Sequence, residues 1–333
     1  MRGRIGARIL SRRMSTNSNG GPVSPDPFKH CNDVVKRGDY DGYLYSLLQG
    51  SQLRPAALAI RAFNVETATI KDTVRGNVTP AKMRMQWWKD SIADTFAGEP
   101  PPLPICLALA EVVAAQKGGL TRRWFDRLLD ARMADLDRTQ PETLEEMETY
   151  AENTASSLLY LFLELNGIRG GGTIGHAAGH IGKAAGICTL LRSLALPPPP
   201  AAMTGGGSLG FRESCVLPSE VMRKYMLRHA VLERGPQDDK EAHALAECVF
   251  EVASVAKGHL EAAEEGLAKA REEAEGGKLP TGAFAALLPG VRVAWYLETL
   301  QESGFNAFDE SLRPASALKF QLRLVRSVFR EKF

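Results

Sequence analysis

No apolar run in this 333-residue chain is long enough to cross a bilayer: the longest patch, around Leu158 to Leu163, falls far short of the ~20 residues that a spanning helix needs. Cysteine is scarce. Cys31, Cys106, Cys188, Cys215 and Cys248 are widely spaced and no CxxC occurs, which excludes a disulfide scaffold and points to reduced thiols in a non-secretory compartment. Excess charge is lacking too, and a net charge of +2 argues against nucleic acid as a partner. Acid is missing from two particular places. The first Asp or Glu is Asp26, and none occurs from Leu165 to Arg212, in a chain that is 24% charged.

The acid-free N-terminus, MRGRIGARILSRRMSTNSNGGPVSP, holds five arginines and four serines. That is the composition of an organellar transit peptide, a cationic segment drawn towards an energised, internally negative membrane. Residues 1–25 are expected to be a mitochondrial transit peptide rather than a basic tail without an address or a chloroplast signal. They are set apart from the fold, which is expected to occupy 28–333.

The remainder of the chain reads as helices. Ile60, Phe63, Thr67, Ile70 and Val74 recur at spacings of three and four, which predicts a helix over 53–74. Thr79-Pro80 opens a second helix that stops at Gly98. Helices are also predicted over 104–117 and 121–138, from Thr143 with a Thr143/Glu146 capping box to Gly167, over 174–194, 238–275 and 317–333, and through VRVAWYLETL. PPPPAAMTGGGSLG, from Pro197 to Gly210, is a loop longer than an ordinary connection. With no βαβ alternation and no repeat, the fold class is all-α, a helical bundle.

Several constellations invite a chemical role. His176 and His180 stand four apart on one helix and can share a metal, but no glutamate completes an HExxH, and helix–helix contact is the stronger expectation. His243 and Cys248 have metal-like spacing without a second pair. Gly170-Gly171-Gly172 precedes a helix, yet no phosphate-binding fingerprint comes after it. Asp126, Asp130, Asp135 and Asp137 are interleaved with arginines and read as a salt-bridged face. Trp87-Trp88 reads as one core residue and one half-buried neighbour, and Cys188 as an inert buried thiol. Lys319, Arg323, Arg326 and Arg330 form a basic stripe with Leu318, Phe320, Leu322, Val325 and Phe329 beside it. This helix either closes the bundle or meets an anionic membrane or acidic partner.

Three stretches, in order, carry a resemblance. RAFNVETATIKDTV is followed by MRMQWWKDSIADTF; DARMADLDR by YAENTASSLLYLFLELNGI; and HAAGHIGKAAGICTLLRSLALP by VLPSEVMRKY. Together they resemble the squalene/phytoene synthase family over roughly 28–333, and within it a mitochondrial branch that serves the building of respiratory complex I. The resemblance implies an isoprenoid-synthase-like bundle with a central cavity. Catalytic members bind an allylic diphosphate through magnesium held by two aspartate-rich segments, because magnesium takes hard oxygen ligands shared with phosphate. At the first segment this chain has Ala68, Thr69, Ile70, Lys71 and Asp72, so only Asp72 survives. Glu66 lies six residues, about 600° of helix, away. At the second, Arg192 matches the lead-in arginine, but Ser193, Leu194, Ala195, Leu196 and Pro197 supply no acid. The bare stretch therefore resembles a metal-binding helix without its ligands.

The resemblance therefore implies a non-catalytic protein without a cofactor, acting on complex I subunits or assembly intermediates in the mitochondrial matrix, peripheral to the inner membrane. The alternatives are an active prenyl-diphosphate transferase, which alone would require magnesium, and a peripheral membrane lipid-binding protein. No catalytic residue is assigned. Motif position nominates Arg61, Asn64, Asp72, Trp88, Tyr150 and Arg192 for a cavity ligand, and Lys319, Arg323, Arg326 and Arg330 for membrane or partner contact.

Overall fold

The computed structural model describes residues 26–74, 77–116, 119–169, 171–194, 215–312 and 317–333. The segment expected to be a transit peptide, the Pro197–Gly210 loop and Gly170 of the glycine run lie outside the described residues. Within them, every regular element is a helix.

Asp26 opens α1 (Pro27–Gly38) by accepting from the Phe28 amide at 3.0 Å, and Asp39 opens α2 (Tyr40–Leu47) by accepting from Gly42 N at 2.8 Å. These caps satisfy amides that have no intrahelical partner. α3 (Arg54–Ala68) ends six residues before the predicted boundary, and Lys71–Thr73 form a separate 3₁₀ turn. The Thr67 and Thr69 hydroxyls donate back to the Phe63 and Val65 carbonyls, the competition by which β-branched hydroxyl residues weaken a helix end. Asp72 consequently stands on a turn.

α4 (Thr79–Ala97) stops at Gly98, which adopts φ +91°, a conformation glycine takes without penalty. Next come α5 (Pro104–Ala115) and α6 (Arg122–Asp135). In the expected capping box, Thr143 Oγ1 accepts from Glu146 N at 3.2 Å, while the Glu146 carboxylate reaches Glu142 N, one residue beyond the expected return partner. The helix predicted from there to Gly167 is interrupted. α7 (Leu144–Ala151) passes through a π-helical turn at Glu152–Ser156 into α8 (Ser157–Leu165).

The interruption meets α9 (Thr173–Leu194). Ser156 donates to the Gly179 carbonyl at 2.9 Å. A Cβ on Gly182 would lie 2.6 Å from Ser156 N, and one on Gly186 would lie 2.5 Å from Ala151 Cβ. The small residues of the acid-free stretch thus let two backbones approach more closely than side chains permit. α9 also joins two cores. Ala177, Ala178 and Ile181 pack with Phe63, Ile92, Phe125 and Leu128; Ala184, Ile187 and Leu191 pack with Val249, Val252 and Leu300.

α10 (Ser219–Lys224), α11 (His229–Arg234) and α12 (Asp239–Glu273) come next, the last running along α9. α13 (Ala283–Ala286), α14 (Pro289–Glu302) and α15 (Ala317–Arg330) complete the chain. α15 turns Phe320, Leu324 and Ser327 inwards, so Phe320, read with the apolar residues beside the basic stripe, parts from them and packs on Tyr45 and Trp295.

Candidate functional site

The 3₁₀ turn after α3, the C-terminal half of α6, α7 and the end of α9 line a cavity of about 620 Å³. Asp72 lines it. So do Leu190, Ser193 and Leu194, and the two motif positions therefore face one space. The sequence expectation of a central cavity between these segments matches this arrangement.

The chemistry of the walls differs from that of a divalent-cation site. Lys71 Nζ lies 2.8 Å from Asp135 Oδ2 and donates to the Arg138 carbonyl at 3.1 Å. It neutralises one wall carboxylate and sets a positive charge one residue from Asp72. Glu146 is engaged by Glu142 N at 2.9 Å and lies 3.7 Å from Arg138. Glu145 and Glu233 also reach the lining, whereas α9 contributes two leucines and a serine. Among the described residues, no group of three or more His, Cys, Asp or Glu side chains is placed to hold a metal ion. Magnesium in this fold needs several unneutralised oxygens around one point, and the donor set present does not fit it.

The cavity floor is a buried polar network. Arg132 Nη2 donates to Asn64 Oδ1 at 2.7 Å, Arg132 Nη1 donates to the Asn64 carbonyl at 3.0 Å, and Nη1 also reaches Thr67. Burial lowers the guanidinium's pKa and raises that of Tyr150, its neighbour, the usual penalty on charge in a low dielectric.

Of the residues nominated by motif position, Asp72 and Tyr150 line the cavity. Asn64 stands behind the wall and holds Arg132. The other three are outside the lining. Arg61 is buried, paired with Asp39 at 2.8 Å and stacked on Tyr45 and Phe162. Trp88 is a core residue against Phe63. Arg192 turns towards Asp41, 3.3 Å away, which Arg292 also binds. Each of the three has its partner on a neighbouring element: Asp39 between α1 and α2, Phe63 on α3 and Asp41 on α2. The sequence already showed Lys71 as a competing cation inside the first motif, whereas Arg132, in a segment that read as a solvated face, was missed.

The remaining constellations are structural. Asp126, Asp130, Asp135 and Asp137 pair with Arg122, Lys89, Lys71 and Lys82 respectively, so most of their cations come from neighbouring elements and not from arginines interleaved on α6. His176 is exposed, and the ring contact of His180 is made with another helix. His180 Nδ1 lies 2.9 Å from His259 Nδ1, and His259 Nε2 meets Glu148. His243 is exposed while Cys248 is buried. Burial pushes the Cys188 thiol up to about 12, as an inert interior thiol requires. Arg323 pairs with Glu298 at 2.8 Å, whereas Lys319, Arg326 and Arg330 are exposed.

Residues 35–322 match the sequence pattern described as Squalene/phytoene synthase. The chain is 35% identical over 311 residues to the rat protein named NADH dehydrogenase (ubiquinone) complex I, assembly factor 6, covering 93% of this chain and 85% of that one. It is 33% identical to the human protein of the same name, covering 96% and 86%. Among solved structures, a dehydrosqualene synthase in complex with ligand superposes with a TM-score of 0.67 at 17% identity, over 92% of this chain and 96% of the other. Squalene synthase HpnC from Alicyclobacillus acidocaldarius gives 0.65 at 16%, over 84% and 95%. At such low identity these two establish the likeness of fold alone.

Proposed function

The chain belongs to the squalene/phytoene synthase family, and from that premise we propose that it is a non-catalytic member required for the assembly of mitochondrial respiratory complex I. One observation carries the non-catalytic part: the cavity that catalytic members would use for a metal–diphosphate complex holds the Lys71–Asp135 ion pair beside Asp72, facing an α9 wall of Leu190, Ser193 and Leu194. A positive charge and hydrocarbon at that place oppose a cluster of divalent cations. The assembly part draws on the relatives named for it, which match along almost the whole chain.

Its partners are complex I subunits or assembly intermediates, met in the mitochondrial matrix at the inner-membrane surface. No helix among the described residues is long and apolar enough to cross a membrane, in keeping with peripheral attachment.

Depleting the protein in its own cells and resolving respiratory complexes on native gels tests both parts. Assembled complex I should fall on depletion and return with wild type and with Asp72→Ala alike. Unchanged complex I after depletion would refute the assembly role. Rescue by wild type but not by Asp72→Ala, with equal protein levels, would refute the non-catalytic role.

A further inference from the structure

We infer that the outer face of α15 is a docking surface for an anionic lipid bilayer. The inference rests on the peripheral placement proposed above and names the face that makes the contact. Leu318, Leu322, Val325 and Phe329 succeed one another at offsets of four, three and four. On a helix of about 3.6 residues per turn they fall within a stripe about 60° wide. They are exposed by 65%, 63%, 44% and 85%, while Phe320, Leu324 and Ser327 make the opposite face and bury it against the bundle. The helix is thus anchored by one apolar face and displays a second. Isolated exposed apolar residues are ordinary, but a continuous row along a helix calls for an apolar partner.

Charge identifies the partner. No Asp or Glu occurs from Ala317 to Arg330. Lys319, Arg326 and Arg330 are exposed along one margin of the row, about 70–110° around the helix from its centre. On the opposite margin, Gln321 donates to the hydroxyl of Tyr40 at 3.2 Å, and Tyr40 is itself exposed. Two carboxylates near the row are engaged by cations outside it: Glu298 by Arg323 and Glu331 by Arg271. An apolar row edged by cations on one side and by a tyrosine on the other suits the boundary between acyl chains and headgroups. There the row sinks, the cations meet lipid phosphates and the phenol stays at the polar level.

The test is flotation of the full chain with two kinds of vesicle, phosphatidylcholine containing cardiolipin and phosphatidylcholine alone. Wild type should float with the cardiolipin vesicles and less with the neutral ones, and added salt should weaken the difference. The Leu322→Glu/Phe329→Glu double variant should lose about tenfold or more of its partitioning. Arg326→Glu/Arg330→Glu should lose the preference for cardiolipin. Met83→Glu, an exposed apolar position on α4, should float like wild type. Circular dichroism checks that each variant is folded. Wild type floating with neither vesicle would overturn the inference and leave the face to a protein partner; flotation of Leu322→Glu/Phe329→Glu at the wild-type level would overturn it equally. No component of complex I enters this measurement, so a failure of the assembly proposal leaves its outcome unchanged.

Discussion

Lys71 Nζ sits 2.8 Å from Asp135 Oδ2 on the wall of the cavity, bridging the turn after α3 to the end of α6. The pair occupies a place where a magnesium-dependent family member needs free carboxylate oxygens. Its side chains are 34% and 25% exposed, so solvent screens much of the attraction and their coupling should be about 0.5–1 kcal/mol. A double-mutant cycle with Lys71→Met and Asp135→Asn, read by urea unfolding, should return that coupling. Strict additivity of the two single variants would show that the charges do not interact.

Gly182 is predicted to be intolerant of the smallest side chain. Its missing Cβ would press on the Ser156 backbone at 2.6 Å, and backbone cannot swing aside as a side-chain tip can. Gly182→Ala should destabilise by about 1–3 kcal/mol. Gly258→Ala, in α12 with nothing near its Cβ, should stabilise by about 0.5–1 kcal/mol from helix propensity. Chemical denaturation of both variants distinguishes a packing glycine from a tolerated one by the sign of the effect.

The stability contributed by Glu241 should vanish in acid. Hydrogen bonding from Arg234, then from Gln237 N, and also from Arg228, holds its carboxyl down to about 2 against an ordinary 4.5. Because the folded pKa lies below the unfolded one, the contribution is complete above about 4.5 and is lost as pH falls towards 2. The difference in stability between wild type and Glu241→Gln should be constant through neutral pH and shrink progressively below about pH 4.5. A gap that stays level down to about pH 3 would mean that the arginines do not act through the charge.

The helices were legible in the sequence because their periodicity and caps are local. Gly98, Thr143 and Asp238 stop or start elements where the pattern puts them. The features that were not legible depended on contacts made at a distance. The π turn at Glu152–Ser156 arises where α9 presses Gly182 and Gly186 against it, and no local signal marks it. The early end of α3, with Asp72 on a turn, was hidden by an apolar stripe that runs on to Val74. Arg61 and Arg192 carry motif-like positions but turn to Asp39 and Asp41, which lie far from them in sequence. Conversely, the absence of acid at Ser193 and Leu194 needed no structure to be seen, and the fold added that these positions share a cavity with Asp72.

On the non-catalytic function proposed above, this cavity does not gather a metal–diphosphate complex. The most direct measurement is release of inorganic diphosphate from farnesyl or geranylgeranyl diphosphate by the purified protein with magnesium, against a heat-killed control. No release above the control is expected. Magnesium-dependent release that disappears in Asp72→Ala would contradict it and make this protein an enzyme.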